Sequence, residues 1–254
     1  MFNEFKTVAP DMTSSRSLAP LPAQPGHTPW PTSDWPEAPP SGEVDSANLN
    51  RLLDLAFSDP APEVMGETHA FLAVYQGRIV SERYWRDYTA SDTYPSWSEA
   101  KSITHALVGI LTREGLIDVH APADVPEWQG ADDPRRHITL DQLLRMSSGL
   151  KFAEDYVDAG VSDVIEMLFG GGKDDVAGFA ANFPLIHEPD SSWSYASGTT
   201  NIVVRCAARA LGRSGDAFRS WMFRELFGPI GVQSAQPKFD AQGTFIGSSF
   251  CYAT

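Results

Sequence analysis

Apolar positions recur along the chain at two different spacings, and the switches between them outline the elements. Leu49, Leu52, Leu53 and Phe57 share one helix face, so ordered structure is expected to begin near Asp45 or Ser46. Two β-rich stretches, His69 to Tyr75 and Arg78 to Trp85, flank Gln76-Gly77 and predict a hairpin. Behind Ser98, the residues Ile103, Ala106, Leu107, Ile110 and Leu111 return to helical spacing, with Gly115 as a natural stop. Thr139 and Gln142 fit a capping box for a short helix carrying Leu140, Leu143 and Leu144. Residues 162–169 read as helical up to Gly170-Gly171-Gly172, and further helices fit Thr199 to Leu211 and Asp216 to Phe227. The tail from Gly243 to Tyr252 reads as an irregular apolar segment. A leading hairpin, a run of helices and no βαβ alternation predict an α+β fold rather than a doubly wound sheet.

The first forty residues break this pattern. They hold nine of the nineteen prolines and little apolar periodicity, so residues 1–44 are expected to form an extended or disordered arm ahead of a body spanning 45–254. Trp30 and Trp35 could still dock on that body.

Composition narrows the partners. A chain of 254 residues, 42% hydrophobic and with seven tryptophans, can bury the core of one domain, or of one plus a small subdomain. A net charge of −14 argues against nucleic acid or an anionic membrane as partner. No apolar run is long enough to span a bilayer, and Met1 to Pro10 lacks the cationic start and apolar core of a secretion signal. The cytoplasm is the compartment expected on that basis. Cys206 and Cys251 give no disulfide framework and are expected to be buried thiols.

The candidate chemistry starts at Ser98-Glu99-Ala100-Lys101. A serine hydroxyl needs a base within hydrogen-bond reach to act as a nucleophile, and residues three apart on a helix are neighbours. Ser98 is a favoured N-cap, and Glu99 suits the positive end of the helix dipole. At such a position backbone N–H groups lack partners within the helix and can stabilise an oxyanion. Ser148-Gly149-Leu150-Lys151 repeats the string, but Gly149 disfavours a continuing helix and no apolar periodicity follows, so Lys151 should not meet Ser148.

Other motifs fall away. Gly170-Gly171-Gly172-Lys173 lacks the earlier glycine and the following Ser or Thr of a phosphate loop, and no G-x-S-x-G elbow occurs. The six histidines are scattered, without metal-ligand spacing, and His105 lies two turns from Ser98, roughly 10 Å along the axis. A serine–lysine pair still needs a proton shuttle. Two Tyr-x-Ser strings offer one: Tyr94-Pro95-Ser96, pinned by its proline, and Tyr195-Ala196-Ser197, which lies between a loop and a helix.

Three blocks, Ser96 to Gly115, Leu140 to Leu150 and Glu188 to Asn201, resemble the serine β-lactamase and penicillin-binding superfamily in order and spacing. More narrowly they are similar to its class C-related hydrolases, including carboxylesterases and 6-aminohexanoate-dimer hydrolases. The resemblance implies a β-lactamase-like fold, an antiparallel sheet flanked by helices plus a helical subdomain. It implies that Ser98 is the acylated nucleophile, Lys101 its activating neighbour and Tyr195 the proton relay. Lys101 would have to spend time neutral, or share a proton with Tyr195. Glu154-Asp155-Tyr156 resembles a loop of the oligoamide hydrolases, which makes Tyr156 a substrate-binding residue, and Ser197 stands where many relatives carry asparagine. The expected partner is a small ester or amide, without cofactor or metal, and a homodimer is compatible with the chain.

The K-T-G-like strand of the family has no counterpart before Thr254. On the resemblance the domain is therefore expected to lack its C-terminal helices and strands. One missing oxyanion donor lowers turnover roughly 100- to 1,000-fold, so weak or no activity and a tendency to aggregate are expected of these 254 residues alone. A relative that binds peptide or acyl ligands without turnover, and a fragment with no function of its own, are the alternative readings.

Overall fold

Local signals account for most element boundaries in the computed structural model, which describes Ala23, Gly26, His27, residues 34–157 and residues 160–254. These fall into two units, one within Leu18–Tyr94 and the other within Pro95–Ala253.

In the first unit, the Asp45 side chain accepts the Asn48 N–H at 2.9 Å and starts helix α1, Ser46–Ala56, as the apolar spacing predicts. Strands β1, Ala70–Tyr75, and β2, Arg78–Tyr84, pair antiparallel. Gln76 and Gly77 between them both have positive φ, 49° and 73°, the turn whose twist suits a two-residue hairpin. Arg83 of β2 bonds Asp54 of α1 at 2.7 Å. The last part of the proline-rich arm runs beside β2: Ile79 N–H donates to Pro36 O at 2.9 Å, and Ala38 N–H donates to Ile79 O at 3.0 Å. Trp35 is about half exposed. Trp30 and, apart from Ala23, Gly26 and His27, the stretch 1–33 expected to be extended or disordered lie outside the described residues.

The second unit is mainly helical: α2, Ala100–Arg113; α3, Leu140–Leu144; α4, Asp163–Phe169; α5, Val176–Ala181; α6, Ser197–Leu211; and α7, Gly215–Met222. Helix α6 is central, packed by α2, α3, α4 and α5. Eleven of its fifteen residues are buried, and small ones such as Gly198, Ala207 and Ala208 permit the close approach. The capping box at Thr139 and Gln142 forms as predicted, each side chain accepting the other's backbone N–H. Glu166 of α4 takes the Gly171 N–H, so Gly170-Gly171-Gly172 is a turn. Both cysteines are buried free thiols, pushed up by desolvation to about 12 for Cys206 and about 11 for Cys251.

Four features depart from the periodicity. Helix α5 had no amphipathic signature because five of its six residues are buried, leaving no polar face. Helix α6 begins at Ser197, two residues before the expected Thr199. The helix expected over Asp216 to Phe227 becomes α7 followed by a π-helical turn, Phe223–Phe227. The apolar tail is ordered: Cys251–Tyr252 (β4) pairs with Gln236–Pro237 (β3).

That tail threads between α2 and α6. A Cβ on Gly247 would sit 2.3 Å from Thr104 Oγ1 and 2.6 Å from Val204 Cγ2, a gap only glycine fits. Thr104 Oγ1 donates to Gly247 O at 3.1 Å, and Ser248 N–H donates to Asn201 Oδ1 at 3.2 Å. Residues 247–251 are thereby held beside the first turns of both helices. Among the described residues no helix is long and apolar enough to cross a membrane, and no group of three or more His, Cys, Asp or Glu side chains is placed to hold a metal ion.

Candidate active site

The site is built where α2 begins. A 3₁₀ turn, Trp97–Glu99, leads into the helix, and Ser98 lies inside that turn instead of capping it. Glu99 occupies the N-cap position without a side-chain cap bond. The expected cap is thus replaced by a tighter turn, which leaves the Ser98 hydroxyl to face Lys101. Trp97, just before it, has φ +44°, a strained conformation for a tryptophan. Flanking contacts hold it there: the Trp97 ring packs 5.6 Å from the Phe250 ring, and Ser96 Oγ accepts the Cys251 N–H at 3.0 Å.

Lys101 sits on the buried face of α2 with Ala100, Thr104, Leu107, Val108 and Leu111, and is only 8% exposed. Burying an ammonium is unfavourable unless its donors are satisfied. Here Nζ donates to Ser98 Oγ at 3.1 Å, to Ser197 Oγ at 3.1 Å and to Ser248 O at 2.9 Å. Three donors meet three acceptors. The Tyr195 ring covers Nζ from 4.8 Å, so this tyrosine meets the lysine with its π-face.

The N-terminus of α6 supplies the opposite wall. Ser197 donates through Oγ to Glu154 Oε1 at 2.5 Å and through its backbone N–H to Glu154 Oε2 at 2.7 Å. A carboxylate suits that end of a fifteen-residue helix, where amides are unpaired and the dipole is positive. Tyr156 is exposed, yet its hydroxyl also donates to Glu154 Oε1. Desolvation of that hydroxyl, and then its bond to the carboxylate, push the Tyr156 pKa up.

Of the five residues singled out from sequence, Ser98, Tyr195 and Ser197 surround the nitrogen of the fourth, Lys101, and Tyr156 joins them through Glu154. Ser197 is 1% exposed and bonded on both sides, so it lies within the polar cluster. The second S-x-x-K string does not assemble. Ser148 is buried and takes the Leu150 N–H, whereas Lys151 is exposed in an extended segment. His105 is exposed on α2.

Sequence reading missed Glu154 as a member of the cluster, and with it Asn201 and the Ser248 carbonyl. A backbone carbonyl leaves no trace in residue types. Glu154 did carry a signal, standing two residues before the tyrosine already chosen.

Comparison with known proteins bears on the family and the fold. The profile of the Beta-lactamase family matches residues 64–241. A 95-residue stretch is 34% identical to the 6-aminohexanoate-dimer hydrolase of Paenarthrobacter ureafaciens, covering 36% of this chain and 23% of that protein. Among solved structures, a protein from Bacillus anthracis described as a 6-aminohexanoate-dimer hydrolase superposes with TM-score 0.67 at 21% identity, over 87% of this chain and 59% of its own. The octameric penicillin-binding protein homologue of Pyrococcus abyssi superposes with TM-score 0.59 at 14% identity, over 83% of this chain and 54% of its own. At such identities the structural likeness speaks for the fold alone, and this chain spans less than two-thirds of each of these relatives. The family profile covers well over half of the residues here and agrees with the α+β fold built around α2 and α6: the chain belongs to the beta-lactamase family.

Proposed function

We propose that this chain is a serine hydrolase that cleaves an ester or amide bond through an acyl-enzyme on Ser98. The observation that carries this reading is the buried Lys101 Nζ, 3.1 Å from Ser98 Oγ at the entrance to α2. Lys101, in its neutral form, takes the Ser98 proton as Oγ attacks the carbonyl carbon. The oxyanion that forms is stabilised by the Ser98 backbone N–H in the first turn. Tyr195 relays the proton that Lys101 took to the departing alcohol or amine as its bond to the carbonyl carbon breaks, so that both residues return to their starting state and the acyl group stays on Ser98. Water then releases that group with the same residues acting in reverse. Tyr156, exposed at the rim, contacts the substrate.

The 6-aminohexanoate-dimer hydrolase among the relatives favours a linear amide as the substrate class. The test is covalent labelling by a fluorophosphonate ester. Wild type is expected to take one equivalent, Ser98→Ala none, and Ser148→Ala one. Labelling that survives in Ser98→Ala, or fails in the folded wild type, overturns the assignment.

A further inference from the structure

We infer that Glu154 is the positioning residue that lets Lys101 become neutral, receiving its proton across the Ser197 hydroxyl. The inference rests on the reading of Ser98 as the nucleophile and concerns what makes its base available. Lys101 and Glu154 form no direct ion pair among the described residues, and Ser197 stands between them. Its Oγ accepts from Lys101 Nζ at 3.1 Å and donates to Glu154 Oε1 at 2.5 Å. The donor directions therefore run one way, from ammonium to hydroxyl to carboxylate.

The step balances as a two-proton shift. An N–H bond of Lys101 breaks and its proton joins Ser197 Oγ, while the Ser197 O–H bond breaks and that proton joins Glu154 Oε1. Lys101 is left with a free lone pair, Glu154 becomes a carboxylic acid, and the net charge of the cluster does not change. Burial favours this exchange, because it replaces two opposite charges with two neutral groups where solvation is weak. The freed lone pair lies 3.1 Å from Ser98 Oγ, where the base is required.

Other groups around the pair set its balance. Tyr156 donates to the same carboxylate oxygen, which favours the ionised form of Glu154. The Tyr195 ring faces Nζ and favours the ammonium. Asp163 Oδ2 accepts the Ala153 N–H at 2.7 Å, next to Glu154 in the chain, and Asp155 follows it. The active state is the one in which Lys101 and Glu154 hold a single proton between them, placed on Glu154.

The pH dependence of fluorophosphonate labelling tests this. In wild type, labelling should rise on the acid side of neutrality, as the pair loses its first proton. In Glu154→Gln the rise should move to alkaline pH, toward the ordinary lysine value of about 10.4, because Lys101 must then lose its proton to solvent. Labelling at pH 7 should fall about tenfold for each pH unit by which the midpoint moves above 7, up to roughly 1,000-fold as it nears the ordinary lysine value. Ser197→Ala should reproduce that shift with Glu154 intact, and Ser197→Thr, which keeps a hydroxyl, should restore the wild-type profile. Thermal melts identify any variant that fails to fold, and the Ser197 pair then decides. A rise that stays in place, or moves to lower pH as for a carboxylate acting only as a counter-ion, overturns the inference. Loss of labelling in Ser98→Ala is read separately and tests only the nucleophile.

Discussion

Ser98-Glu99-Ala100-Lys101 and Ser148-Gly149-Leu150-Lys151 are the same pattern in two backbone settings. On the turn into α2, positions three apart share a face, and Nζ reaches Oγ at 3.1 Å. In the second string no helix forms: Leu150 bridges Leu185, and Lys151 N–H donates to Pro184 O at 2.9 Å. Ser148 is buried, and Lys151 is exposed. Gly149 fixes that conformation, with φ +77° and its α-carbon against the His187 carbonyl. A serine–lysine pair is thus a property of the backbone between the two residues, and the difference can be broken at several points.

The largest effect is expected from the lysines. Lys101→Ala should lower the labelling rate by roughly 100- to 10,000-fold, the usual contribution of a general base, whereas Lys151→Ala should leave it unchanged. Equal losses from both would end the distinction. Next come the glycines that hold each string in its setting. Gly149→Ala places a methyl 2.0 Å from His187 O in a left-handed conformation and should destabilise the protein by about 3 kcal/mol, read from denaturant midpoints. Gly247→Ala pushes the tail away from Thr104 and Val204 and should cost about 2 kcal/mol. It should also slow labelling, because the Ser248 carbonyl that holds Lys101 is the next residue along.

The smallest effect separates stability from chemistry. Arg135 Nη1 donates to the carbonyls of Ala181 and Phe183, on the segment that pairs with Leu150 and Lys151, and Asp133 orients its guanidinium. The Arg135 bond holds the Asp133 carboxyl below the usual carboxylate range. A depressed folded pKa contributes stability above the unfolded value, about 3.9, which is lost as pH falls through the lower folded value. Asp133→Asn should therefore melt below wild type at pH 7, by about 1 kcal/mol, with the two curves converging as pH falls below the unfolded value. Labelling at Ser98 should not change. A labelling defect would show that the two settings are not independent.

Legibility in the sequence followed how local each cause was. The hairpin at Gln76-Gly77, the Thr139 capping box and the apolar face of α2 were readable because their signals lie within a few residues of the structure they specify. Ser98, Lys101, Tyr195 and Ser197 could be singled out by type and resemblance. Helix α5 was missed because burial of five of its six residues removes the polar face that periodicity needs. The Ser98 cap was wrong because the chain tightens into a 3₁₀ turn, held by contacts from Phe250 and Cys251 some 150 positions away.

By itself the sequence determined the α+β class, the amphipathic α2 and the Ser98–Lys101 spacing at its start, since these depend on neighbours a turn or a hairpin apart. Only the tertiary structure decided which acceptors satisfy Lys101, that Ser197 faces Glu154, that Tyr195 presents its ring, and that a glycine-bearing tail passes between α2 and α6. Those relations join residues 43 to 147 positions apart, and a buried charge selects its partners by distance in space, which no local pattern records.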